Sequence, residues 1–189
     1  MRAHRNANLL ISIPLLVGLL TVPVVQGQTS LINEEFDSEV DDWFYSGGPE
    51  AILRWDGDRG MPNPGSLQLS SKKDIVGRNP LFEAMSEECF RVAAGEIIQA
   101  EAMVLANEGA GVCFVDIVLF RGSECSGSRS FSGNIPANSP GVWERRTASM
   151  GGGTAGGTAR VALALFRYSR GRELMTCNFD AVTLTRDPQ

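Results

Sequence analysis

Residues 112–120 read Val-Cys-Phe-Val-Asp-Ile-Val-Leu-Phe, and no other stretch narrows the folding options of this chain as much. The odd positions Cys113, Val115, Ile117 and Leu119 form an unbroken apolar row. The even positions Phe114, Asp116, Val118 and Phe120 are apolar but for one carboxylate. A side-chain period of two belongs to an extended strand with one face set into a core. The pattern recurs. Ile98, Ala100, Ala102 and Val104 oppose Ile97, Gln99, Glu101 and Met103, and Val161, Leu163 and Leu165 oppose Arg160, Ala162, Ala164, Phe166 and Tyr168. Segments 66–71, 89–92, 143–150 and 177–185 also read as extended. Turn clusters rich in Gly, Pro, Ser and Asn at 60–65, 107–111, 122–127 and 134–141 punctuate the strands. A turn or two around Leu81 to Glu88 is the one helical expectation. Such punctuation defines an all-β chain, a sandwich or a barrel. The run Met150-Gly151-Gly152-Gly153-Thr154-Ala155-Gly156-Gly157-Thr158 has no GK[ST] ending and is expected to connect two strands rather than cradle a phosphate.

The first 27 residues follow a different logic. Arg2 and Arg5 precede an apolar run from Leu9 to Val25, broken by Pro14 and Pro23, and Val25-Gln26-Gly27 offers a peptidase site. The run falls short of the roughly 20 residues a membrane span needs. The expectation is a signal peptide at 1–27, a single β-sandwich domain at 28–189, and a secreted or periplasmic product with no membrane insertion after cleavage. Cleavage takes two of the 17 basic residues, leaving 15 against 22 acidic ones and a net charge of −7. An acidic chain without a basic stripe is a poor partner for nucleic acid. His4 is the sole histidine and leaves with the signal peptide, so a processed chain cannot run Ser-His-Asp or Cys-His chemistry or build the usual zinc sites.

Cys89, Cys113, Cys125 and Cys177 remain, without a CxxC spacing, and export makes disulfides their expected state. Cys113 and Cys125 would stand at opposite ends of an extended strand, roughly 25 Å apart, whereas a disulfide needs Cα atoms within about 7 Å. Two pairings survive that argument, of which Cys89–Cys125 with Cys113–Cys177 is preferred.

Several loose patterns occur in a fixed order along 31–185. Leu31-Ile32-Asn33-Glu34-Glu35-Phe36-Asp37 is followed by Trp43, then by Pro64-Gly65-Ser66-Leu67-Gln68-Leu69 and Gly95-Glu96-Ile97-Ile98-Gln99-Ala100. Gly141-Val142-Trp143 and a closing Phe179-Asp180-Ala181-Val182-Thr183-Leu184 complete the series. This order resembles the galactose-binding-like jelly-roll of secreted bacterial carbohydrate-binding modules, although Ile98 replaces an aromatic. Cys89 with Cys125-Ser126-Gly127 is similar to a disulfide-bearing subset. The resemblance implies a jelly-roll of two antiparallel sheets and a structural calcium tying the first strand to the last, with Asp37 and Asp180 at the acidic positions. Asp56-Gly57-Asp58 would add further oxygens.

A fold does not fix a function. Sugar recognition in water needs an aromatic platform and planar polar groups. Two surfaces offer them. The first is a mixed sheet face with Gln99, Glu101, Asp116 and Arg160, with Phe166 or Tyr168 as platform, provided those strands share one sheet. On the same assumption, Glu101 and Asp116 would otherwise simply pair with Arg160. The second is a loop rim with Trp43, Phe44, Tyr45 and Trp55, of which Trp55 is the exposed candidate. Trp43 and Trp143 are expected in the core. The leading expectation is a non-catalytic, monomeric module that binds a polysaccharide or glycan. The alternatives are an adhesive or structural surface protein without sugar affinity, and a small hydrolase or lyase using Glu101 and Asp116 as acid and base.

Overall fold

The computed structural model describes residues 28–46, 51–71, 81–107, 111–137, 139–168 and 174–187; the expected signal peptide lies outside them. The strands are β1 (Thr29–Glu34), β2 (Trp43–Tyr45), β3 (Ala51–Asp56), β4 (Ser66–Ser71), β5 (Leu81–Ser86), β6 (Phe90–Val92) and β7 (Ile97–Ala106). They continue as β8 (Gly111–Phe120), β9 (Arg129–Phe131), β10 (Gly133–Asn134), β11 (Trp143–Gly151), β12 (Gly157–Arg167) and β13 (Thr176–Arg186). No helix occurs among the described residues. The first sheet runs β10-β11-β7-β13-β4-β3 with β1 also on β13, and the second runs β2-β5-β12-β8-β9 with β6 also on β12. Every pairing is antiparallel. This is the all-β sandwich expected from the alternation, and the glycine-rich run links β11 to β12 as anticipated.

The apolar rows legible in sequence meet between the sheets. Ile98, Ala100, Ala102 and Val104 of β7 join Leu67, Leu69, Phe179 and Leu184 on one side. Cys113, Val115 and Ile117 of β8 and Val161, Leu163 and Leu165 of β12 answer from the other. All are buried, and each large aliphatic contributes about 1.5–3 kcal/mol through its removal from water. In β13 the register slips between Asp180 and Thr183, and Ala181 takes a φ of 47°. This bulge lets Phe179 and Val182 both face the core although three positions apart.

Both disulfides follow the preferred pairing, with Cα–Cα distances of 5.9 Å for Cys89–Cys125 and 5.8 Å for Cys113–Cys177. Cys113–Cys177 crosses the core from β8 to β13 and staples the two sheets together. Cys89–Cys125 ties the residue ahead of β6 to the turn after β8. Two such bonds indicate folding in an oxidising environment. No described helix is long and apolar enough to cross a membrane.

One expectation is corrected. Residues 81–88 do not form a helical turn; Leu81–Ser86 is strand β5, paired with β2 and β12. Leu-Phe-Glu-Ala-Met favours a helix by propensity. Its alternation nonetheless puts Phe82 and Ala84 into the main core and Met85 on the opposite face, and that burial decides the outcome.

Candidate functional site

The residues expected to converge are divided between the sheets. Gln99 and Glu101 lie on the outer face of the first sheet through β7, whereas Asp116 and Arg160 lie on the outer face of the second through β8 and β12. The core, about 10 Å thick, stands between them. The single-groove expectation is therefore corrected, and Glu101 and Asp116 cannot serve as an acid and base on one substrate. Alternation fixes which face a residue takes within its sheet but not which sheet its strand joins. Glu101 instead pairs with Arg145 at 3.1 Å, a partly exposed contact of small energetic value.

The loop-rim expectation is corrected as well. Trp43–Tyr45 and Trp55 belong to strands β2 and β3. Trp43 is in the core, 5.8 Å from Phe36 ring to ring, as anticipated. Trp143 is half-buried. Trp55 is 41% exposed, and its indole Nε1 donates to the Phe36 carbonyl at 2.7 Å. Tyr168 lies just past β12, 48% exposed, edge-on to Phe166 at 5.6 Å.

Strand register assembles a different constellation on the outer face of the second sheet. Across β5, β12 and β8, Met85, Ala162 and Asp116 form one row and Glu83, Ala164 and Phe114 the next. Beyond β8, Phe131 of β9 sits beside Val118, and Arg129 beside Phe120. Ala162 and Ala164, both fully buried, make a low floor on the central strand. The two carboxylates stand on either side of that floor, two strand spacings or about 10 Å apart across the ladder.

Those carboxylates have different surroundings. Asp116 Oδ1 accepts the Ile117 amide at 2.7 Å, the Ser132 amide at 3.0 Å and the Ser132 hydroxyl, so it anchors the chain after β9. Glu83 is 8% exposed, and its Oε1 is buried without a hydrogen-bond partner among the described residues. Burial pushes the Glu83 carboxyl above its usual range. The Arg129 guanidinium pulls it back, the charge of Asp116 adds to the rise, and the Ser46 hydroxyl opposes it. At one side Arg160 lies over the Phe44 ring at 5.0 Å and donates to the carbonyls of Ser86 and, at 2.6 Å, Glu87. Burial lowers its pKa and the charge of Glu87 raises it again. Phe131, 50% exposed, offers a bare ring on the same face. Sequence reading found Asp116 and Arg160. It missed Glu83, Arg129 and Phe131, because Glu83 falls in the expected helical turn and residues 128–133, between two turn clusters, carry no strand expectation.

A second acidic region lies at the β1–β2 connection, where Glu35, Asp37, Glu39, Asp41 and Asp42 surround a cavity of about 290 Å³. Asp180 is 1% exposed and accepts the amides of Met61 at 2.5 Å and Ala181 at 2.8 Å. Its pKa is raised to about 6: burial raises it most, those two hydrogen bonds lower it, and the charges of Glu35 and Asp37 push it up. Carboxylates suit a hard cation in charge and donor type, and the charges of Glu35 and Asp37 reach Asp180. Among the described residues no three acidic, His or Cys side chains converge as a complete ligand set. Asp56 is not part of this group's hydrogen bonding: its Oδ2 accepts Gln68 Nε2 at 2.7 Å and Asn178 Nδ2 at 3.0 Å.

No family model matches the sequence, and no curated protein does either. Solved structures do. The CBM22-1–GH10 modules of a Clostridium thermocellum endo-1,4-β-D-xylanase, complexed with xylohexaose, match at a TM-score of 0.63 and 14% identity. That match covers 84% of this chain and 29% of the xylanase chain. The isolated CBM22-1 and CBM22-2 xylan-binding domains of a Paenibacillus barcinonensis xylanase each match at 0.59, with 11% and 14% identity. They cover 84% and 82% of this chain, and 95% and 99% of their own. At this identity the likeness speaks for the fold: the chain has the galactose-binding-like jelly-roll sandwich of these modules, over nearly their whole length.

Proposed function

We propose that the chain is an exported, non-catalytic carbohydrate-binding module that holds a polysaccharide of the xylan type against the outer face of its second sheet. One observation carries this reading: on the outer-face row of β5 a buried carboxylate oxygen, Glu83 Oε1, has no hydrogen-bond donor among the described residues. Leaving such an atom unmet is costly, and a sugar hydroxyl is the donor that would meet it. Small side chains at Ala162 and Ala164 keep the centre of the face low, Phe44 and Phe131 supply apolar surface, and Asp116 and Arg129 add polar edges. Asp116 is already engaged by donors of its own chain, which suits a positioning role better than proton transfer. The solved neighbours that bind xylan support the choice of ligand class.

Calorimetric titration with xylohexaose tests this. The purified protein should bind, and Glu83→Gln should weaken binding on the order of tenfold with the fold intact. Unchanged affinity in that variant would remove the second-sheet face from the account. A structural calcium near Asp37 and Asp180 belongs to the same proposal, supported by the shared charge of Asp180, Glu35 and Asp37. Its remaining ligands would be backbone oxygens and water, and it would serve stability rather than sugar contact.

A further inference from the structure

A groove of about 840 Å³ opens at one end of the sandwich, where Arg91, Arg121 and Arg160 line it with Glu124 as the one acid. The arginines come from β6, from the turn after β8 and from β12. Three arginines with one acid in the lining are unexpected in a chain of net charge −5, although Glu87 adds its charge beside Arg160. Elsewhere Arg59, Arg145, Arg146 and Arg186 each sit against a carboxylate. Among the described residues Arg91 and Arg121 have no such ion pair, and both are exposed.

The groove is built rather than incidental. Gly156 has a φ of 68°, and a Cβ there would lie 2.6 Å from the Val92 carbonyl, so only glycine lets the β11–β12 turn come so close to β6. Ala93, Ala94 and Ala155 keep the walls low. The Cys89–Cys125 disulfide clamps the Arg121 turn to the chain ahead of Arg91. Thr158 Oγ1 reinforces the clamp, accepting the Cys125 amide at 3.0 Å and donating to the Gly122 carbonyl at 2.9 Å. The charges are therefore held together before any ligand arrives, which lowers the cost of binding.

We infer that this groove takes the carboxylates of an acidic, uronate-bearing polysaccharide. The inference rests on the carbohydrate reading above and adds the ligand's charge. Arg160 borders both regions, lying over Phe44 on the second-sheet face and lining the groove, so a chain laid across that face continues toward Arg91 and Arg121. A guanidinium fork matches a carboxylate in geometry as well as charge. Nucleic acid or an anionic bilayer would meet the acidic surface without the sugar contacts that the second-sheet face offers.

Titration of the purified protein with sodium polygalacturonate and, separately, with xylohexaose tests the inference. Wild type should bind polygalacturonate in a salt-sensitive way. The double variant Arg91→Gln, Arg121→Gln should weaken that binding on the order of tenfold or more while leaving xylohexaose affinity unchanged. Glu124→Gln should strengthen it. Equal polygalacturonate affinity in wild type and double variant would overturn the inference. So would a wild type that binds xylohexaose but not polygalacturonate, an outcome that leaves the carbohydrate reading standing. Binding to neither ligand would take both down together.

Discussion

On the outer face of the first sheet, Arg54 Nε donates to Gln68 Oε1 at 2.7 Å, Gln68 Nε2 and Asn178 Nδ2 both donate to Asp56 Oδ2, and the Ser70 and Thr176 hydroxyls share a bond at 3.1 Å. On the outer face of the second, Glu83 keeps a buried oxygen without a donor among the described residues, and Phe131 stands half exposed on the same face, three strands away. The two faces carry comparable polar side chains. These first-sheet groups bond to one another; on the second-sheet face one buried acceptor has no donor among the described residues. A surface network that satisfies its own donors and acceptors gains little from a ligand, whereas an unmet buried acceptor gains a full hydrogen bond. Polar density therefore does not distinguish the two faces; the unmet acceptor does, and the proposed binding face rests on it.

Substitutions can break that contrast in graded ways. The largest expected effect is at Asp116→Ala, which strips the acceptor from the Ser132 amide and hydroxyl in a buried setting and should cost about 2–4 kcal/mol in chemical denaturation. Glu101→Ala on the other sheet should cost no more than about 0.5 kcal/mol, since its partner Arg145 is well exposed. Near-equal losses would show that the two faces are built alike. Next comes Ala164→Leu, which raises the floor between the carboxylates. It should abolish xylohexaose binding while costing about 1–3 kcal/mol of stability, and retained binding would place the ligand elsewhere.

A smaller effect concerns pH. The folded Glu83 carboxyl has a raised pKa, so its contribution to stability is fully present below the unfolded value near 4.5 and is lost as pH rises through the folded value. Wild-type Tm should therefore slope downward over that interval relative to Glu83→Gln. Parallel curves would mean that Glu83 is as well solvated as a surface acid. If the proposed calcium binds, it should raise Tm by a few degrees at neutral pH, above the Asp180 pKa of about 6, and by less in Asp180→Asn. An identical increment in both proteins would move the ion away from Asp180.

Much of this architecture was legible in the residues. The parity of β7, β8 and β12 placed their apolar rows correctly, because a strand's buried face follows from alternation alone. The separation of Cys113 from Cys125 along one strand removed one disulfide pairing on distance. The site was less legible, for a topological reason. Gln99, Glu101, Asp116 and Arg160 all occupy mixed rows, yet which sheet a strand joins depends on long-range pairing that no local pattern encodes. Glu83 was hidden differently, inside a run of good helix formers that pairing with β12 and β2 forces into a strand. Alternation of Phe82 and Ala84 against Glu83 and Met85 was the one signal that would have revealed it.

Amide chemical-shift mapping by NMR during a xylohexaose titration puts the contrast between the faces to its most direct test. Perturbations should cluster on β5, β8, β9 and β12 around Glu83, Ala162, Ala164 and Phe131, with Gln99, Glu101 and Thr183 unmoved. Shifts centred on those first-sheet residues, or no shifts at saturating sugar, would contradict the account.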